Sequence, residues 1–178
     1  MPEALVGQHN YQLNAAAALR DLYRLLCAVA SERRLLRVIK RRGDPLLSLR
    51  ERFVNDEIVQ LLVQTAVMNR IQLDHLIELR KGDNPPLPPI DYICGDLRED
   101  IENEEWSELT FKEACNKIMH AQQIAVERDG PPNRDVFDRI PEGLIPRGTK
   151  NGKPWQAHLS LYDYVRASAL NFSTSVEP

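Results

Sequence analysis

Glycine is scarce in this chain, with 8 among 178 residues, and none falls in a GxxxxGK[ST] or GxGxxG loop. Those loops cradle phosphates through backbone N–H groups, so neither common nucleotide-binding signature is present. Cysteine is scarcer still: Cys27, Cys94 and Cys115 are an odd number with no CxxC spacing. A disulfide framework or a zinc site needs more than that. We read all three as small buried hydrophobes in a reducing compartment. No apolar run approaches the ~18 residues of a membrane span. The opening MPEALVGQHN has neither the basic nor the apolar region of a secretory signal. A cytoplasmic protein without membrane association is therefore expected. There is no GxSxG, and no cysteine has a recognisable activating neighbour. Cys115 and His120 are five residues apart, which on a helix points them about 140° from each other. No metal and no cofactor are expected.

A strong excess of one charge is missing too. The formal net charge is −3, from 13 basic and 9 acidic residues in 1–82 against 10 and 17 in 83–178. A basic first half and an acidic second half can pair within a chain or between two copies. That is not the basic excess of a dedicated nucleic-acid binder.

What is present is helix. The length fits one domain over 1–178, long enough to bury about 70% of its unfolded surface. Within it, the pattern marks a helical hairpin subregion (10–82), a Pro-rich and acidic connector (83–109), and a helix, β-hairpin and helix subregion (110–178). From Asn14 to Arg42, Leu19, Leu22, Leu26, Val29, Ala30, Leu36 and Ile39 recur at helical steps. One helix over that span would be about 43 Å long. Gly43-Asp44-Pro45 stops it. Leu46–Phe53 reads as a short helix, and Asn55-Asp56-Glu57 as the cap of a second long one. Ile58, Leu61, Leu62, Thr65, Met68, Gln72 and Leu76 form the buried stripe of that helix, which ends at Gly82. Two long helices with a short link form an antiparallel pair. The acidic run DLREDIENEEWSE reads as a surface loop or short helix, with Ile101 and Trp106 packed down. Beyond the next helix, Ile124–Glu127 and Val136–Ile140 read as short strands. Asn151-Gly152 is a type I′ hairpin signal, flanked by alternating Trp155, Ala157 and Leu159. Ser160-x-x-Asp163 opens a final helix. The fold class is α+β, mainly α.

Thr110–Ile124 is where chemistry concentrates. Thr110-x-x-Glu113 is a capping box, and Phe111, Ala114, Cys115, Ile118 and Ala121 make an apolar stripe. Asn116 and His120, four apart, share another face. Asn116-Lys117-Ile118-Met119-His120 resembles the RNxxxH signature of HEPN domains, in which long antiparallel helices precede the motif helix. The resemblance covers the helix order to about residue 122 and the Asn and His positions. It departs at the motif arginine, where Cys115 stands, and does not extend to the hairpin and final helix. Arg70-x4-His75 has the same arginine–histidine spacing inside a long helix. The resemblance implies a homodimer and, in active members, metal-independent RNA cleavage by the motif arginine and histidine.

Without the arginine, a positioned cation for the transition-state charge is missing. Lys117 points about 100° from Asn116 and lacks the bidentate guanidinium geometry. We therefore expect a non-catalytic interaction or regulatory protein with a degenerate HEPN-like core, probing RNA or another protein as partner. Asn116 and His120 would hydrogen-bond the adjoining hairpin. One alternative is a metal-independent ribonuclease in which His120, a residue type suited to acid–base work near neutral pH, works beside Asn116 with Lys117 or with a cation from another helix or subunit. Another is a nucleic-acid-binding regulator using Arg33, Arg34, Arg37, Lys40, Arg41 and Arg42.

Overall fold

The computed structural model describes residues 14–39, 41, 43–79, 92–102, 105–126 and 143–173. Helix α1 (Ala15–Val38) starts where the Asn14 side chain accepts a hydrogen bond from the Ala17 N–H at 3.0 Å. That satisfies one of the open donors of the first turn. Its buried stripe is Ala18, Leu22, Leu25 and Val29. Ala30 and Cys27, both expected inside, are exposed. The stripe steps by three or four residues and passes both by. The helix stops at Ile39, which is extended, rather than at Arg42.

Helix α2 (Pro45–Leu79) is a single element of 35 residues. The Asp44 carboxylate accepts from the Leu46 N–H at 2.9 Å, and Pro45 takes the first helical position, where a missing N–H costs nothing. The expected break before Asn55 is absent. Leu47, half-buried Val54, Ile58 and Leu61 continue one inward stripe through it, and no Gly or Pro interrupts the backbone ladder. Between α1 and α2, Arg24 bonds Glu57 and the Gln64 amide donates to Asp21 at 3.0 Å.

The remaining elements are β1 (Ile93–Arg98), β2 (Ser107–Thr110), α3 (Phe111–Met119), β3 (Gln123–Val126), β4 (Gly143–Lys150), β5 (Lys153–Ser160) and α4 (Leu161–Ser173). They make an α+β fold with one five-stranded antiparallel sheet, in the order β2-β1-β5-β4-β3. This enlarges the small C-terminal hairpin unit expected from the sequence. The acidic run, residues 96–108, is a turn at its centre, as the loop reading expects, but its first three residues end β1 and its last two begin β2, and Ile101 and Trp106 are exposed rather than packed down. The strand expected at Val136–Ile140 lies outside the described residues.

Alternation sets the layers. Cys94 and Leu97, Leu144, and Trp155, Ala157 and Leu159 point to one face and are buried against α3 and α4. Helix α2 packs on both of those helices, and α1 packs on α2 and α4. A polar seam joins α2 to α4: the Asn69 amide donates to Ser168 Oγ at 2.8 Å, and Thr65 Oγ1 lies 3.1 Å from Tyr164 Oη. At the β4–β5 turn, Asn151 (φ 54) and Gly152 (φ 80) both adopt the left-handed region that a type I′ turn requires. Among the described residues, no helix is long and apolar enough to cross a membrane.

Gly95 sits in an irregularity of β1 at φ +139, and a Cβ there would lie 1.9 Å from the His158 carbonyl oxygen. Gly95→Ala is expected to cost roughly 1–3 kcal/mol or more in chemical denaturation. Unchanged stability would contradict so close an approach of β1 to β5.

Candidate functional site around helix α3

Helix α3 runs directly out of β2. Thr110, extended at φ −66 and ψ 157, caps it by accepting from the Glu113 N–H at 3.4 Å. Glu113 does not complete the box; its carboxylate accepts from the Asn116 amide at 3.2 Å. His120 is the C-cap, its backbone N–H bonded to the Asn116 carbonyl at 3.0 Å. Phe111, Ala114, Cys115 and Ile118 face the core as their spacing requires.

Lys117 is buried with them, at 4% exposure. Its Nζ stands 4.7 Å from the centre of the Trp155 ring and 3.4 Å from Glu99 Oε1. Cation–π attraction and an opposite charge are what a cation removed from water needs. Glu99 lies in the turn after β1, and its other oxygen is 3.3 Å from Lys150 Nζ on β4. Beside it, Asp100 is buried, 3.1 Å from Lys153 Nζ, and the Ile101 N–H donates to the Pro154 carbonyl at 3.0 Å. Two neighbouring carboxylates thus bind three lysines drawn from α3 and the two strands of the hairpin. Burial alone would push the Glu99 carboxyl up, but Lys117 and Lys150 outweigh it and hold the group below its usual value. Against the indole also stands Gly148, where a Cβ would meet the Trp155 ring at 2.6 Å and the His120 carbonyl at 3.0 Å.

The three candidate catalytic residues therefore do not converge. Asn116 is engaged with Glu113, Lys117 with Glu99 and Trp155, and the His120 side chain is exposed. Among the described residues, no hydrogen bond or ion pair engages the His120 ring. Nor do Asn116 and His120 side chains hold the hairpin. The Gln122 N–H does so, donating to the Arg147 carbonyl at 2.8 Å, and the Thr149 hydroxyl donates to Gln122 Oε1 at 3.3 Å.

Where the motif arginine would stand, the Cys115 thiol is pushed well above its usual value by burial first and by Cys94 second, with Arg70 acting in the opposite sense. Cys94 is pushed up to about 12, by burial first and then by Asp163. Both shifts favour the protonated thiol at neutral pH, the weaker nucleophile of the two forms. Arg70 pairs with Asp74 at 3.1 Å, and His75 is exposed. Of the basic cluster, Arg34, Arg37 and Arg41 are exposed; Lys40 and Arg42 lie outside the described residues, as does the side chain of Arg33. Among the described residues, no three His, Cys, Asp or Glu side chains group to hold a metal ion.

A surface not foreseen from the sequence lies on the outer face of the sheet. Arg98, Gln156 and Arg147 face one another across β1, β5 and β4. Arg147 Nε donates to Gln156 Oε1 at 3.0 Å, and the Gln156 amide lies 3.0 Å from His158 Nε2. Trp106 is 4.5 Å from the His158 ring and carries the Arg98 guanidinium 4.6 Å over its face. None of these side chains is buried. The polar half of the β5 alternation, Gln156-x-His158, was the available signal.

Comparison of the chain with protein-family models, with curated proteins and with solved structures gives no match.

The lowered Glu99 carboxyl sets a sign. A carboxylate depressed on folding stabilises above its unfolded pKa and loses that contribution as pH falls through the folded value. Acid destabilisation is therefore expected to deepen below about pH 4.3, the unperturbed glutamate value. Glu99→Gln should flatten that part of the curve when denaturation midpoints are compared between neutral and acid pH. Equal pH dependence in the two proteins would contradict the clasp.

Proposed function

We propose a non-catalytic interaction or regulatory protein built on a degenerate HEPN-like core, with its two long helices as an antiparallel hairpin and a homodimer as its working form. The observation that carries this is Lys117. The nearest sequence substitute for the motif arginine is 4% exposed and clasped between Glu99 and Trp155. A cation so held cannot meet a phosphate in solvent without giving up both partners. The hairpin assignment is supported by the order of the cross-links, Asp21 with Gln64 and Arg24 with Glu57. The outer sheet face, with Trp106, His158 and the two arginines, supports a role in binding, because aromatic and arginine side chains dominate recognition surfaces. Free thiols throughout the described chain are in keeping with a reducing, cytoplasmic setting.

The ribonuclease alternative would pair His120 with a cation from elsewhere, and Arg70, which acts electrostatically on Cys115, is the available one on α2. It is already paired with Asp74. Exposure of Arg34, Arg37 and Arg41 favours the nucleic-acid-binding alternative. Both meet one experiment. Incubated with single-stranded and structured RNA, the wild type and His120→Ala are expected to leave it equally intact. Cleavage by the wild type that His120→Ala abolishes would overturn the proposal. Salt-sensitive RNA binding lost on replacing Arg34 and Arg37 would move it to the nucleic-acid-binding class.

A further inference from the structure

Helix α2 has a face that no other described element covers. Val59, Val63 and Val67 are 38%, 36% and 40% exposed, and Leu49 and Ile77 extend the row at 55% and 37%. At about 100° per residue, all five point within ~40° of Val63, and so do Arg52, Asp56, Arg70 and Asp74. The buried stripe through Ile58, Leu62, Thr65 and Asn69 lies on the other side of the helix. The charges alternate with the apolar residues along the same row, and a row of exposed apolar residues of this kind marks a partner surface.

The order of residues along the row says which partner. When two antiparallel copies of a helix are related by a two-fold axis through one residue, positions equally far from that residue on either side face each other. With the axis at Val63, Val59 faces Val67, Leu49 faces Ile77, and Val63 faces itself. The charges obey the same symmetry. Asp56 faces Arg70, and Arg52 faces Asp74. Each copy supplies both members, so opposite charges meet at every ionic position around an apolar centre, and no like charges are opposed. A parallel pair in register would instead set Arg52 on Arg52 and Asp56 on Asp56, which is penalised. Arg70 and Asp74 already stand together on this face at 3.1 Å. From Leu49 to Ile77 the seam would run about 42 Å.

We propose that α2 pairs antiparallel with α2 of a second copy about a two-fold axis at Val63. This names the partner of the interaction protein proposed above and rests on that proposal for its biological use only. The sequence pattern that makes α2 self-complementary is a property of the helix whatever the protein does.

Sedimentation velocity of the full chain at micromolar concentration tests it, the expected mass being twice the 20.4 kDa chain. Val63→Lys sets two ammonium groups against each other on the axis and is expected to give a folded monomer by circular dichroism. Arg52→Asp opposes Asp74 of the second copy and should weaken association at least about tenfold, by like-charge juxtaposition. Adding Asp74→Arg to it restores the opposite-charge pairs and should restore the dimer. Rescue by the second substitution is not expected of mere damage to the fold, so the pair decides even if Val63→Lys fails to fold. A wild type that is monomeric throughout, or a dimer indifferent to both sets of variants, would overturn the proposal. A monomer that leaves RNA intact sinks the dimer, here and as the proposed working form, and leaves the non-catalytic reading standing. A dimer that cleaves RNA through His120 sinks the non-catalytic proposal alone.

Discussion

One cation kept out of water organises the junction between helices and sheet. Lys117 lies at 4% exposure, and its charge is met by the Trp155 face and the Glu99 carboxylate. Burying a charge is costly unless it is paired and its geometry held. Each neighbouring feature contributes to holding it. Gly148 leaves room for the indole, the turn after β1 delivers Glu99 and Asp100, and Lys150 and Lys153 anchor that turn to the hairpin. The order of strands follows suit: β1 sits beside β5, so that its following turn reaches both α3 and the β4–β5 loop.

Signals that are local and satisfied locally were legible in the sequence. Asn151-Gly152 adopts the backbone its turn type needs, Thr110 caps α3, and the α2 stripe from Ile58 to Leu76 is buried apart from partly exposed Met68. Signals that depend on distant partners were not. The apolar stretch Ile90–Cys94 reads as a short strand or an apolar anchor and meets the start of β1, but the end of β1 and the start of β2 lie in an acidic run, because β2 is a short edge strand whose first polar side chains face out and whose pairing residues cannot be read from composition. At Asn55 a local cap signal lost to a stripe that continues through it, tertiary burial overriding propensity.

The candidate site divides in the same way. The positions of Asn116, Lys117 and His120 on one helix follow from spacing alone. Their environments do not. The partners of Lys117 are 18 residues before it and 38 after it, and the lysine expected as a substitute catalytic cation is paired with them inside the fold. Accessible aromatic and charged side chains lie on the outer sheet face around Trp106 and along the exposed side of α2.

The most direct measurement is the stability of Lys117→Ala by chemical denaturation. If Lys117 ties α3 to the sheet, its removal should cost about 2–5 kcal/mol, the range found when a long buried side chain is cut back to alanine. A loss under ~0.5 kcal/mol, as for an exposed surface residue, would contradict that role and return Lys117 to the candidates for chemistry.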